Sequence, residues 1–164
     1  MSDIEAERQI RYWLLDMDGV LIHEEDPIPG APEFINRLKE LEIPFLVLTN
    51  SSIYSRRDLS ARLHRSGLDV PEKSIWTSAL ATATFLQDQR PNGSAFVVGE
   101  PGLATAMHEA GYTINESDPD YVVLGETRTY SFERITQAIR LILKGARFIA
   151  TNPDNVGPAP GGVL

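Results

Sequence analysis

The sequence predicts an α/β fold built on parallel β-sheet. Three observations carry that expectation. Short apolar runs alternate with amphipathic segments along the 164 residues. Two of the runs, Tyr12–Leu15 and Ile43–Leu48, are nearly all apolar, as strands buried on both faces are. Each of these runs ends in a polar cluster, Asp16–Asp18 after the first and Thr49–Ser52 after the second. In open parallel sheets ligands bind beyond the carboxyl ends of the strands. The two clusters meet at one edge if the two strands are neighbours.

Taken in order, Tyr12–Leu15 is the first strand. Gly30, Ala31 and Pro32 introduce a helix with Phe34, Leu38 and Leu41 on one face, Pro32 suiting its first turn. Ile43–Leu48 is the second strand. Leu59 and Leu63, four apart, mark a second helix, and Gly67 stops it. Ile75–Thr77 is a short third strand, and Ser78 is positioned to cap the helix beginning near Ala79. The stretch Gln87–Gly93 is polar and holds Pro91 and Gly93, which suits a linker. The alternation then restarts. Ala95–Val98 is a strand ending at Gly99, Pro101–Ala110 a helix closed by Gly111, and Tyr121–Leu124 a strand ending at Gly125. Phe132–Leu143 is a helix with Ile135, Ala138, Ile139 and Ile142 on one side, closed by Gly145. Arg147–Ala150 is a last strand, ending at Thr151-Asn152-Pro153-Asp154. Residues 10–80 therefore form one unit and 81–164 a second, with 1–9 a disordered N-terminus. Residues 157–162 read as a Pro/Gly loop, and Val163-Leu164 as an element about to begin, so a fragment of a longer protein is expected.

Composition narrows the function. The formal net charge of −8 argues against a broad nucleic-acid surface, and the scattered aromatics form no stacking platform for single strands. The absence of cysteine excludes disulfides, thiolate zinc sites and a cysteine nucleophile. Met1–Gln9 has no apolar core of a secretory signal, and no run approaches the ~18 apolar residues of a membrane span. The expected location is the cytoplasm, with no membrane partner.

The chemistry centres on Asp16-Met17-Asp18-Gly19. Carboxylates at i and i+2 on an extended strand point the same way. Gly19 lets the backbone turn and present both to one pocket. Adjacent carboxylates repel unless a cation lies between them or one is protonated. A hard divalent cation with oxygen ligands, magnesium, meets the first condition. One carboxylate is then a candidate nucleophile and the other a candidate proton shuttle. The competing reading is a plain turn, since Asp and Gly favour turns. The preceding apolar run and the following Val20-Leu21 weigh against it.

Three segments carry a resemblance. Trp13–Leu21, with Asp16-Met17-Asp18-Gly19-Val20 at its centre, resembles the first motif of the haloacid dehalogenase superfamily. Leu46-Val47-Leu48-Thr49-Asn50-Ser51-Ser52 resembles the second motif in its NagD-like and nitrophenylphosphatase-like branch, subfamily IIA. Phe148–Asp154 resembles a signature of that branch's cap domain. The resemblance implies the N-terminal part of a Rossmann-like parallel-sheet core, with an α/β cap domain, here partial, inserted after the second motif. Only residues 19–48 separate Asp18 from Thr49, which leaves no room for a cap there. The implied activity is magnesium-dependent hydrolysis of small phosphate monoesters. Asp16 would form an aspartyl-phosphate, and Asp18 would act as general acid and base. Magnesium would be held by the Asp16 carboxylate and the Asp18 backbone carbonyl. Thr49, Asn50 and Ser51 would hold the phosphoryl oxygens. The implied partner is a small phosphorylated metabolite, with self-association through the cap as a further expectation.

The family also uses a lysine and a later acidic motif beyond the cap, and neither has a counterpart here. Lys144, at a helix end, reads as a favourable helix-terminal charge. Lys39 and Lys73 read as exposed helix residues. His23–Asp26 reads as a solvated loop, and Arg56 and Arg57 as a surface coat. Two other classes compete. A truncated, non-catalytic remnant would keep only fold or partner contacts. A phospho-acceptor signalling domain would carry its acidic pair and its phosphorylated aspartate on different strands, whereas Asp16 and Asp18 share one. These 164 residues alone are expected to turn over little or no phosphate ester. Magnesium-dependent release of nitrophenol from p-nitrophenyl phosphate by this chain would overturn that expectation.

Overall fold

A computed structural model describes residues 10–153, 158–159 and 162–163 of the chain. The disorder expected at residues 1–9 lies outside the described residues, as do Asp154 and Leu164. The chain divides into two compact units. One takes the chain up to Thr49 and again Leu59–Ile75, and the other takes Asn50–Asp58 and everything from Trp76 onward.

The first unit opens with β1 (Trp13–Asp16), a two-strand hairpin of β2 (Ile22–His23) and β3 (Asp26–Pro27), and α1 (Ala31–Glu40). It continues with β4 (Phe45–Thr49), with α2 (Arg56–Arg65) from Leu59 onward, and with the first residue of β5 (Ile75–Thr77). β1 and β4 pair in parallel, Trp13 opposite Phe45 through to Asp16 opposite Leu48, in a sheet ordered β1-β4-β5. Leu15, Met17 and Val47 enter a core with Ile35 and Leu38 of α1 and Leu59 and Leu63 of α2. Each such side chain, fully buried, contributes about 1.5–3 kcal/mol relative to exposure. Pro32 occupies the first turn of α1, and Glu33 near its start and Arg37 and Lys39 near its end suit the helix dipole. The buried face of α1 is Ala31, Ile35 and Leu38. Of the expected face, Phe34 lies at the margin, edge-on to Trp13 at 5.0 Å, and Leu41 falls beyond the helix end.

The expectation that both faces of this sheet are covered does not hold for the described residues. Both helices pack on the Leu15–Val47 side, and Leu14 on the other side is 69% exposed.

The second unit contains α3 (Ser78–Gln89), β6 (Ser94–Val98), α4 (Pro101–Glu109), β7 (Thr113–Ile114), β8 (Tyr121–Leu124), α5 (Phe132–Leu143) and β9 (Arg147–Ala150). Its four strands are parallel in the order β7-β6-β8-β9. Ala95, Val97, Tyr121 and Val123 face α3 and α4 through Ala83, Leu86, Leu103 and Met107. Phe96, Val98 and Val122 face α5 through Ala138 and Leu141. Chain connections leave β6 and β8 in opposite directions, so the strand order reverses between them, beside Gly99 and Gly125 at their carboxyl ends.

Several local expectations change. Thr77, not Ser78, caps α3: its hydroxyl accepts from Leu80 N at 3.1 Å. Ser78 instead donates to the Asn50 carbonyl at 2.7 Å. Gln87–Gly93 is no linker, because α3 runs to Gln89 and the Tyr112 hydroxyl donates to the Leu86 and Arg90 carbonyls at 2.7 and 2.8 Å. Ile139 is 53% exposed, since α5 turns Ala138 and Leu141 inward instead. His23–Asp26 is exposed as expected but folds as the β2–β3 hairpin, with Glu24 left-handed at its tip. The expected loop near the C-terminus holds antiparallel β10 (Pro158–Ala159) and β11 (Gly162–Val163). No helix among the described residues is long and apolar enough to cross a membrane.

Tyr112→Phe removes the hydroxyl that bridges the Leu86 and Arg90 carbonyls while keeping the ring. It is expected to destabilise the chain by about 1–2 kcal/mol, read as a lower denaturant midpoint at constant m-value.

Candidate active site

The parallel ladder runs one step past β1, because Met17 N donates to the Leu48 carbonyl at 3.0 Å. Met17 points into the core, so Asp16 and Asp18 on either side of it both face solvent. The Asp16 carboxylate accepts from Met17 N at 2.9 Å. The chain then folds back tightly. Gly19 is left-handed (φ 80°), and its N–H donates to the Ile22 carbonyl at 2.8 Å, while Leu21 N and Ile22 N both donate to the Met17 carbonyl. A side chain at Gly19 would strain that turn.

Thr49 ends β4 with its side chain buried, and its hydroxyl donates to the Asp18 carboxylate over a long 3.4 Å. The strand register therefore brings Asp16, Asp18 and Thr49 together. Asp18 is exposed as a residue, but partial burial of its carboxyl raises its pKa above the ordinary value. The Arg62 guanidinium and the Thr49 hydroxyl pull it down, and the Asp16 charge adds to the rise.

Arg62 is the residue that sequence reading missed. It lies on α2 three residues after buried Leu59, and its guanidinium donates to the Glu24 carbonyl at 2.6 Å. Ser66 donates to the Glu25 carbonyl at 2.7 Å, so α2 holds the tip of the β2–β3 hairpin. The available signal was its spacing from Leu59 and Leu63, which puts it near the buried side of the helix. Arg56, by contrast, pairs at the surface with Glu109 at 2.8 Å. Lys39 pairs with Asp69 and Lys144 forms the C-cap of α5, as surface and helix-end charges do.

Asn50 and Ser51 follow Thr49 directly and belong by their contacts to the second unit. The Asn50 carbonyl accepts from Ser78 Oγ at 2.7 Å and Asn152 Nδ2 at 3.3 Å. Ser51 Oγ accepts from Ile53 N at 3.3 Å. Ser52 is fully buried, and its hydroxyl oxygen accepts from Glu126 N at 2.8 Å.

The donor set fits a hard cation. Asp16 and Asp18 offer oxygen only, and their charges oppose each other, a repulsion that a divalent ion relieves. Among the described residues no group of three or more His, Cys, Asp or Glu converges on a metal position. Backbone carbonyl, water or phosphate oxygen would complete the shell, as is usual for magnesium.

The family model for haloacid dehalogenase-like hydrolases matches residues 13–113. The chain belongs to that family. It is 60% identical over 152 residues to dihydroxyacetone phosphatase of Corynebacterium glutamicum, covering 93% of this chain and 55% of that protein. It is 42% identical over 148 residues to ribonucleotide monophosphatase NagD of Escherichia coli, covering 90% and 59%. Among solved structures, p-nitrophenyl phosphatase from Archaeoglobus fulgidus superposes with a TM-score of 0.86 at 39% identity, over 94% of this chain and 59% of that one. NagD from E. coli superposes with a TM-score of 0.85 at 40% identity, over 94% and 61%. The haloacid dehalogenase-like chain is thus of the NagD-like and nitrophenylphosphatase-like branch, with the mixed α/β parallel-sheet fold of that branch. It spans a little under three-fifths of the length of the curated relatives, 55% and 59% of these two.

The raised Asp18 carboxyl has a consequence for stability. A folded-state pKa above the unfolded value of roughly 3.9 makes this group's contribution greatest in acid and smaller as pH rises through the folded value. In metal-free protein, Asp18→Asn is therefore expected to raise the thermal midpoint near neutral pH, with the gap closing below about pH 4. A lower midpoint in chelator at neutral pH would contradict it.

Proposed function

We propose that the complete protein carrying this chain hydrolyses small phosphate monoesters, with Asp16 as nucleophile and Asp18 as general acid and base. One observation carries the proposal: Asp16 and Asp18 stand beside Thr49 at the carboxyl ends of paired strands, with the Thr49 hydroxyl on the Asp18 carboxylate. Membership of the family supports it, as do the names of the two relatives above, a dihydroxyacetone phosphatase and a ribonucleotide monophosphatase.

In this reading the Asp16 carboxylate forms a bond to phosphorus as the bond from phosphorus to the ester oxygen breaks. Asp18, protonated at that moment, gives its proton to the departing alkoxide. Its raised pKa favours the protonated form. The resulting Asp18 carboxylate then takes a proton from water, whose oxygen attacks phosphorus and releases phosphate with Asp16 restored. Thr49 Oγ1, Asn50 N–H and Ser51 donate to the phosphoryl oxygens and hold them in line. The Asp16 carboxylate and the Asp18 backbone carbonyl would hold magnesium, which when bound would supply charge neutralisation to the phosphoryl group.

Residues 10–80 are read as the N-terminal part of the core and 81–164 as part of the cap. The substrate class is a small phosphorylated metabolite. The 60% identical relative is named for dihydroxyacetone phosphate, which makes that compound the first to test.

The test is turnover by the complete protein, with dihydroxyacetone phosphate and p-nitrophenyl phosphate as substrates. Asp16→Asn is expected to reduce turnover to background, and retained activity would refute the nucleophile assignment. Thr49→Ala is expected to raise the inhibition constant for inorganic phosphate roughly tenfold, as loss of one donor to a charged group does. An unchanged constant would remove Thr49 from the phosphate site.

A further inference from the structure

The segment Asn50–Ile53 leaves β4 directly after Thr49 and is hydrogen-bonded along its length to the rest of the second unit, to which it belongs. The Asn50 carbonyl takes two side-chain donors, from Ser78 and Asn152. Ser52, with no exposed surface, takes the Glu126 N–H. The Ile53 carbonyl takes the Gly102 N–H at 3.0 Å.

Two glycines make this approach possible. A Cβ at Gly102 would lie 2.5 Å from the Ile53 carbonyl oxygen and 2.5 Å from the Tyr54 carbonyl carbon. A Cβ at Gly125 would lie 2.9 Å from Ser52 Oγ and 2.7 Å from Leu103 Cδ2. Neither glycine has a positive φ, so closeness and not backbone conformation requires them. At Gly102 the obstacle is backbone, which has no rotamer to change. The segment itself would have to retreat, by about 1 Å, to reach ordinary contact distance. Gly102 sits in the first turn of α4 after β6, and Gly125 follows β8, so both lie at the carboxyl edge of the second sheet where its strand order reverses.

We infer that Gly102, Gly125 and Ser52 are positioning residues, which hold the Asn50–Ser51 backbone where it receives the phosphoryl group. This rests on the proposed roles of Asn50 and Ser51. A displacement of about 1 Å in a binding group can cost up to ~10²-fold, so the effect is large enough to read.

The experiment uses the complete protein, with p-nitrophenyl phosphate as substrate, inorganic phosphate as competitive inhibitor, and a magnesium titration. Gly102→Ala and Gly125→Ala are expected to raise KM and the phosphate inhibition constant about tenfold or more, with the magnesium activation constant unchanged. Ser52→Ala adds no volume and removes only one acceptor, so roughly a threefold rise in the same constants is expected. Gly93→Ala is the control. Its Cβ would meet the Tyr112 ring at 2.9 Å, a side-chain clash close to that at Gly125, in the same unit but away from the segment. It is expected to lower Tm and leave KM and the phosphate constant unchanged.

If the Gly102 and Gly125 variants behave like Gly93→Ala, the inference is overturned. Should they fail to fold, Ser52→Ala decides: an unmoved phosphate constant rejects the positioning role. Retained turnover in Asp16→Asn would sink the underlying reading itself. Lost turnover in that variant alongside unmoved phosphate constants would sink only this inference.

Discussion

The parallel pairing of β1 with β4 is the constraint on which the candidate site depends. Asp16 stands opposite Leu48, and the next amide, Met17 N, still bonds across to the Leu48 carbonyl. A slip of one residue would turn Leu15 and Met17 out of the core and both aspartates into it. Burying two unpaired carboxylates is costly enough to specify the register strongly. The hydrophobic pattern of β1 and the placement of the acidic pair are therefore one requirement seen from two sides.

Charge is managed locally, against an overall balance of −8. Asp18 is disfavoured as a carboxylate by burial and by Asp16, and is relieved only in part by Arg62 and Thr49. Arg62 also binds the hairpin that follows the acidic pair, so one side chain couples the electrostatics of Asp18 to the shape of the turn beside it. A site with excess negative charge and only oxygen donors is suited to a hard cation, and that cation in turn attracts phosphate.

The second unit solves a different problem. Its sheet is covered on both faces, by α3 and α4 on one and α5 on the other. Close approach at its carboxyl edge is made with glycine, not with a cleft lined by large side chains. Gly99 and Gly125 are near neighbours there, each with Leu103 against it. This compactness lets the segment after Thr49 approach backbone directly at Gly102, while the Ser78, Asn152 and Ser52 side chains supply its other hydrogen bonds.

Much of this was legible in the sequence. The alternation of apolar runs and amphipathic segments specified the α/β class, and every long helix and strand was found near its observed bounds. Run endings specified the acidic pair and Thr49, because apolar strands that stop at polar residues expose those residues at an edge. The two-residue strands β2, β3 and β7 are too short for periodicity to register. Propensity pointed to Ser78 as a cap, but neighbouring Thr77 took that role and left Ser78 to bond Asn50. The partner of Arg62, and the roles of Ser52, Gly102 and Gly125, were unreadable for a shared reason. Their importance lies in what stands opposite them, at sequence separations of 38, 74, 49 and 73 residues, and periodicity reports only on neighbours along the chain. The sequence by itself determined the fold class and the placement of Asp16 and Asp18 together at a strand end, since those follow from residue type and local spacing. Only the tertiary structure decided which glycines touch the segment after Thr49, because close approach is a property of pairs that folding brings together.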